Sequence, residues 1–132
     1  MEKNAIEVMM VEDDEYTRLA IKSALIEEGL DVTFDTSSVA SALDFAKTHR
    51  PKVALLDFNL GPGPNGIDLA NQLRKIDKNI AIVLLTAYLD PATQSDRIAQ
   101  LPKGSRYLVK HDVSKIQVLI QEIELSIESS KS

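Results

Sequence analysis

The 132-residue chain contains no cysteine, which excludes disulfides and thiolate metal ligation and accords with a reducing, cytoplasmic setting. Basic side chains are not in excess either: 15 Lys and Arg against 20 Asp and Glu leave a formal charge of −5. Neutralising nucleic-acid phosphates takes clustered cations, so no direct nucleic-acid binding is expected of this chain. Long apolar runs are missing. None approaches the ~20 residues that span a bilayer, and the charged start MEKNAIEV lacks the apolar stretch of a secretion signal. No repeat, linker or low-complexity tract interrupts the chain. Only the Ser-rich stretch from Ser126 reads as frayed, with residues 129–132 as a polar tail on a single domain over 1–128. A hydrophobic content of 44% and a charged content of 27% suit one globular domain with a proper core.

Two periodicities alternate along the chain. Short continuous apolar runs at Ala5–Val11, Lys52–Leu56, Ile80–Leu85 and Tyr107–Val109, with a weaker one at Asp31–Asp35, suit strands buried on both faces of a parallel sheet. Between them lie helical patterns. Val39, Ala42, Leu43 and Ala46 mark one helix face, Leu69, Ala70 and Leu73 a second, and Ile116, Leu119, Ile120, Ile123 and Ile127 a third. Glu15–Glu28 is helical by composition with a less clean stripe, and Gly29 stops it. Asp90–Pro91 reads as an N-cap followed by Pro at the first helical position. The order βαβαβαβαβα means an open α/β sheet.

Carboxylates close two of the strands: Glu12–Asp13 the first and Asp57 the third. Open α/β sheets bind ligands at the carboxyl ends of their strands, where the strand order reverses. With the first and third strands adjacent, these three groups converge, and a hard cation such as Mg²⁺, which prefers oxygen ligands, relieves their repulsion. The competing reading of Glu12 to Glu15 is capping of the first helix, where negative charge is favourable. That reading suits Asp14 and Glu15, whereas Asp13 sits where the strand ends. A GxGxxG outline at Gly61–Gly66 follows a strand and precedes a helix. Pro62 and Pro64 carry no N–H to offer a pyrophosphate, so a stiff turn beside the acidic pocket is expected there and no nucleotide site.

The segments VMMVEDDEYTR, VALLDFNL around Asp57, IVLLTAY at Leu85–Thr86 and YLVK at Tyr107–Lys110, in this order, resemble the receiver domain of two-component response regulators over nearly the whole chain. The resemblance implies a flavodoxin-like (βα)₅ fold with a parallel five-stranded sheet of order 2-1-3-4-5 and helices on both faces. It implies Asp57 as phosphoacceptor and Asp13 as direct ligand of Mg²⁺ (or Mn²⁺). Glu12 assists through a bound water, Asp57 shares the ion, and the backbone carbonyl of Asn59 supplies another metal oxygen. Thr86 and Lys110 contact the phosphoryl oxygens, and Tyr107 is the aromatic switch. Phosphorylation then alters the surface of the fourth helix, fifth strand and fifth helix. Asn59 and Tyr88 are placed to gate water access to the phosphoryl group.

The implied partners are a histidine kinase or histidine phosphotransfer protein and an output domain or target protein, with no membrane; a phosphorylation-linked dimer is compatible. The chain is then a regulatory phosphoacceptor and no enzyme, at most promoting its own Mg²⁺-dependent phosphorylation and dephosphorylation. No output domain follows Ser132, so a stand-alone regulator or an excised N-terminal domain is expected.

There are departures from the family pattern. The loop from Asp57 to the next helix is one residue longer than usual, the segment Asp90–Gly104 is also long, and His111 replaces the usual cis-proline after Lys110. A non-proline cis bond costs about 2.5–4 kcal/mol, so a trans bond is expected at Lys110–His111. Two other readings stay open: a receiver-shaped module that signals without phosphorylation, and a phosphohydrolase of the haloacid-dehalogenase kind. The first has no need of Glu12, Asp13, Asp57, Thr86 and Lys110 together. The second places an Asp two residues after its nucleophile, where this chain has Asn59.

Overall fold

In a computed structural model, residues 5–60, 65–86, 98–110 and 115–130 are described. Their elements run β1 (Glu7–Val11), α1 (Glu15–Glu27), β2 (Asp31–Thr36), α2 (Val39–Thr48), β3 (Val53–Asp57), α3 (Gly66–Ile76), β4 (Ala81–Thr86), β5 (Arg106–Val109) and α4 (Ile116–Ser130). All strand pairs are parallel, and the sheet order is β2-β1-β3-β4-β5. The expected helix beginning at Asp90–Pro91 falls largely outside the described residues, as do Gly61 to Pro64, Tyr88 and His111.

Strand alternation divides the core. Val8, Met10, Val53, Leu55, Val83, Leu85 and Leu108 point to one face and meet Ile21 and Leu25 of α1 and Leu119 and Ile123 of α4. Met9, Val11, Ala54, Leu56, Ile82 and Leu84 point to the other and meet Ala42, Ala46, Leu69, Ala70 and Leu73 of α2 and α3. Both faces of β3 and β4 are therefore dry, as their unbroken apolar runs require. β2, at the sheet edge, is only half-buried and alternates accordingly.

Local signals set the helix ends. Asp14 caps α1, its side chain accepting from the Thr17 N–H at 2.9 Å. At the other end the Leu30 N–H donates to the Leu25 carbonyl and the Gly29 N–H to that of Ile26, with Gly29 at φ +93°, a Schellman termination. Asn65 and Asp68 form a reciprocal capping box at α3. One expectation is corrected. α4 does not fray at Ser126 but continues to Ser130, because Ser126 is buried and its hydroxyl donates to the Ile123 carbonyl at 2.7 Å, while Ile127 packs on the core.

Gly66 joins the fold to the site. Its N–H donates to the Phe58 carbonyl at 2.8 Å, and a Cβ on it would collide with the backbone carbonyl of Asp57 and the Leu84 side chain. Gly66→Ala is expected to destabilise the fold by about 1–3 kcal/mol, the usual cost of overpacking. Urea unfolding checks this; an unchanged midpoint contradicts it.

Candidate functional site

The sheet alternation that builds the core also assembles the site. Glu12, Asp57 and Lys110 stand two residues beyond Met10, Leu55 and Leu108, which share one sheet face. The ends of β1, β3 and β5 thus carry the three side chains to a common point above that face. Lys110 Nζ lies 3.2 Å from Asp57 Oδ2, 3.0 Å from Glu12 Oε1 and 3.2 Å from Glu12 Oε2. Glu12 and Asp57 are 0% and 3% exposed, whereas Asp13, just past the strand, is exposed. Glu12, Asp13 and Asp57 each bring a carboxylate oxygen within 4.8 Å of the others.

Backbone groups hold this cluster in place. The Glu12 N–H donates to the Thr36 carbonyl at 3.0 Å, extending the β1–β2 ladder by one residue. The Asp14 N–H donates to Glu12 Oε2 at 3.0 Å, and the Asn59 N–H to Asp57 Oδ1 at 3.3 Å. The Phe58 N–H donates to the Leu85 carbonyl at 2.7 Å, tying the residue after Asp57 to β4. Glu12 Oε1 is buried and receives no aligned hydrogen bond, although the Lys110 ammonium is near it. A buried acceptor without an aligned donor, beside two further carboxylates, fits a hard divalent cation.

Electrostatics show the same imbalance. Burial first, and then the negative charge of Glu12, push the Asp57 carboxyl up to about 7, and the opposing pull of Lys110 does not restore it. Burial alone would lower the Lys110 ammonium; its hydrogen bond to Glu12 and the charges of Asp57 and Glu12 outweigh that and leave it raised. One ammonium thus serves two buried carboxylates.

Thr86 and Tyr107 belong to the opposite side. Thr86, 3% exposed, follows Leu84 in the alternation, and Tyr107 is registered with Leu84 and stands one residue before Leu108. Both therefore point to the face that carries α2 and α3. Tyr107 is 41% exposed. Asn59 is exposed and follows β3 closely.

Two residues that shape the site were not singled out from the sequence. Gly66 abuts the Asp57 carbonyl, and the final glycine of the GxGxxG outline was the signal for it. Arg18 donates from Nη1 to the Glu12 carbonyl at 2.9 Å, and no local pattern announced it.

A parallel five-stranded sheet of order 2-1-3-4-5 is the flavodoxin-like doubly wound arrangement, here with an acidic pocket at its carboxyl edge. Residues 8–124 match the response regulator receiver domain, and the chain belongs to that family. It is a receiver domain of two-component signal transduction. Its sequence is 29% identical over 119 residues to sporulation initiation phosphotransferase F of Bacillus subtilis, covering 88% of this chain and 92% of that protein. It is 34% identical over 106 residues to the DNA-binding transcriptional activator DevR/DosR of Mycobacterium tuberculosis, covering 80% of this chain but only 48% of that protein. The signal receiver domain of a modulated diguanylate cyclase from Desulfovibrio desulfuricans superposes with a TM-score of 0.79 at 25% identity, over 97% of this chain and 98% of that one. No helix among the described residues is long and apolar enough to cross a membrane.

The raised Asp57 carboxyl carries a sign for stability. Between the ordinary value of 3.8 and about 7, the folded chain holds a proton that the unfolded chain has released, so rising pH weakens the fold across that window. Asp57→Asn is expected to be the more stable protein at pH 8 without divalent cations, by about 1 kcal/mol or more. The gap narrows on acidification and closes below the ordinary carboxylate range. Thermal unfolding across pH checks this; a variant less stable than wild type at pH 8 contradicts it.

Proposed function

We propose that Asp57 accepts a phosphoryl group from a phosphohistidine donor, a histidine kinase or histidine phosphotransfer protein, with Mg²⁺ or Mn²⁺ held by Asp13, Asp57, Glu12 and the Asn59 carbonyl. The observation that carries this reading is the buried Asp57 carboxylate, 3.2 Å from the Lys110 ammonium, in a cluster of three carboxylates at the carboxyl edge of a receiver sheet. Similarity to a sporulation phosphotransferase over 92% of that protein's length supports it.

In the step itself an oxygen of Asp57 forms a bond to phosphorus as the P–N bond of the donor breaks, and the leaving imidazole keeps the electron pair and takes up a proton. Anion meets anion, so positioning and charge neutralisation do most of the work. Glu12, Asp13 and Asp57 would hold a divalent cation, whose positive charge would favour the ionised form of Asp57 and offset phosphoryl charge. The Asn59 N–H at 3.3 Å orients Asp57 Oδ1. Lys110 turns from the carboxylates to a phosphoryl oxygen on the other side. The Thr86 hydroxyl donates to a third oxygen by moving inward, and Tyr107, on the same sheet face, follows into the space behind it. Local charge is thereby converted into a packing change at β4 and β5. The domain acts as a regulatory phosphoacceptor, and its output domain or target reads that surface.

Incubation with acetyl phosphate and Mg²⁺ followed by intact-mass measurement tests the reading. One phosphoryl adduct is expected on the wild type, and none on Asp57→Asn or on the wild type in chelator. An adduct that survives Asp57→Asn places the chemistry elsewhere; no adduct on the wild type favours a module that signals without phosphorylation.

A further inference from the structure

Arg18 sits one turn into α1, its N–H accepted by the carbonyl of the N-cap Asp14 at 2.9 Å. A cation near the positive end of a helix is disfavoured by the helix dipole. Its side chain points back along the helix, as helical side chains do, and crosses to the end of the sheet. There Nη1 donates to the Glu12 carbonyl at 2.9 Å and Nε to Asp35 Oδ2 at 3.2 Å. Asp35 lies near the end of β2, registered with Met10, and also accepts from Lys22 Nζ at 2.8 Å. The guanidinium, with a side chain only 17% exposed, therefore bridges the residue just after β1 to the penultimate residue of β2. Lys22, one helical turn on, meets the same Asp35 through its other carboxylate oxygen.

The bridged carbonyl is the backbone joint between Glu12 and Asp13. Its orientation helps fix where the Asp13 backbone stands, and the Asp13 carboxylate lies within 4.8 Å of those of Glu12 and Asp57. The Asp14 N–H already holds the Glu12 side chain, and the Thr36 carbonyl holds the Glu12 N–H. Arg18 adds the hold on the Glu12 carbonyl, and its rigid planar fork ties that carbonyl to the Asp35 carboxylate in one fixed geometry. We infer that Arg18 is a positioning residue that pre-sets the Glu12–Asp13 turn for cation binding, acting through the Glu12 carbonyl and braced by Asp35. The inference rests on the cation-dependent reading above and adds to it which residue holds the acidic turn in its binding geometry.

Titrating the full chain with Mn²⁺ and reading free ion by electron paramagnetic resonance tests this, alongside urea unfolding of every variant. Arg18→Met is expected to weaken Mn²⁺ binding by about tenfold, as loss of groups that orient metal ligands does. Asp35→Ala weakens it less, because the Glu12 contact survives without its brace. Lys22→Met breaks an ion pair to the same Asp35 and leaves Mn²⁺ affinity unchanged. With saturating cation, the rate constant for adduct formation in Arg18→Met returns to the wild-type value, which separates positioning from chemistry. Should Arg18→Met fail to fold, Arg18→Lys and Asp35→Ala decide the matter, both expected to bind Mn²⁺ more weakly than Lys22→Met does. Wild-type affinity in Arg18→Met, or an equal loss in Lys22→Met, overturns the positioning role while the cation site stands, provided Asp13→Asn abolishes binding. Absence of Mn²⁺ binding by the wild type overturns both readings.

Discussion

Two carboxylates kept out of water with one ammonium between them are the constraint around which this structure is organised. Glu12 and Asp57 are buried at the ends of β1 and β3, and Lys110, the residue after β5, lies within 3.2 Å of both. Charges so placed are costly unless paired, and here two negatives share one positive. The cost is carried by the sheet. Val8–Val11, Val53–Leu56 and Ile80–Leu85 are almost wholly inaccessible, and their packing on four helices holds the strand ends where the carboxylates cannot swing apart. An exposed trio of the same residues would relax into water. The dry sheet makes the cluster responsive to any added positive charge.

The sheet also acts as a partition. Glu12, Asp57 and Lys110 continue the alternation of the face that packs on α1 and α4, while Thr86 and Tyr107 continue that of the face that packs on α2 and α3. The charged cluster and the Thr86–Tyr107 pair are therefore on opposite sides of the same strands. They meet only at the carboxyl edge, where Thr86 is one residue beyond the partner of Asp57 in the β3–β4 ladder.

Much of this was legible in the linear chain because it depends on short-range chemistry. Unbroken apolar runs meant strands buried on both sides, and the residues that close those runs are the ones that meet. The stripe of α1 looked unclean because Tyr16, Leu19 and Ile26 are exposed while only Ile21 and Leu25 are buried. Ser126 misled for a different reason: its polarity suggests solvent, yet its hydroxyl is satisfied by the carbonyl three residues back. Arg18 was not legible, since its meaning depends on Asp35, seventeen positions away and reached only once β2 lies beside β1. Gly66 appeared within a nucleotide-like outline, and only the fold shows that the carbonyl it approaches is that of Asp57.

The contact between Gly66 and the Asp57 backbone has a consequence for how this chain tolerates change. The Phe58 N–H is bound to Leu85 and its carbonyl to the Gly66 N–H, so the loop between β3 and α3 begins and ends at one fixed residue. Closing such a ring with one more residue costs on the order of a tenth of a kcal/mol in chain entropy, because closure entropy grows only with the logarithm of length. One more residue inside the ring thus adds little entropic cost, whereas a single methyl at its clasp reaches the Asp57 backbone directly. The length of this loop and the position of the Asp57 backbone are in this way uncoupled by one hydrogen bond, that from the Gly66 N–H to the Phe58 carbonyl.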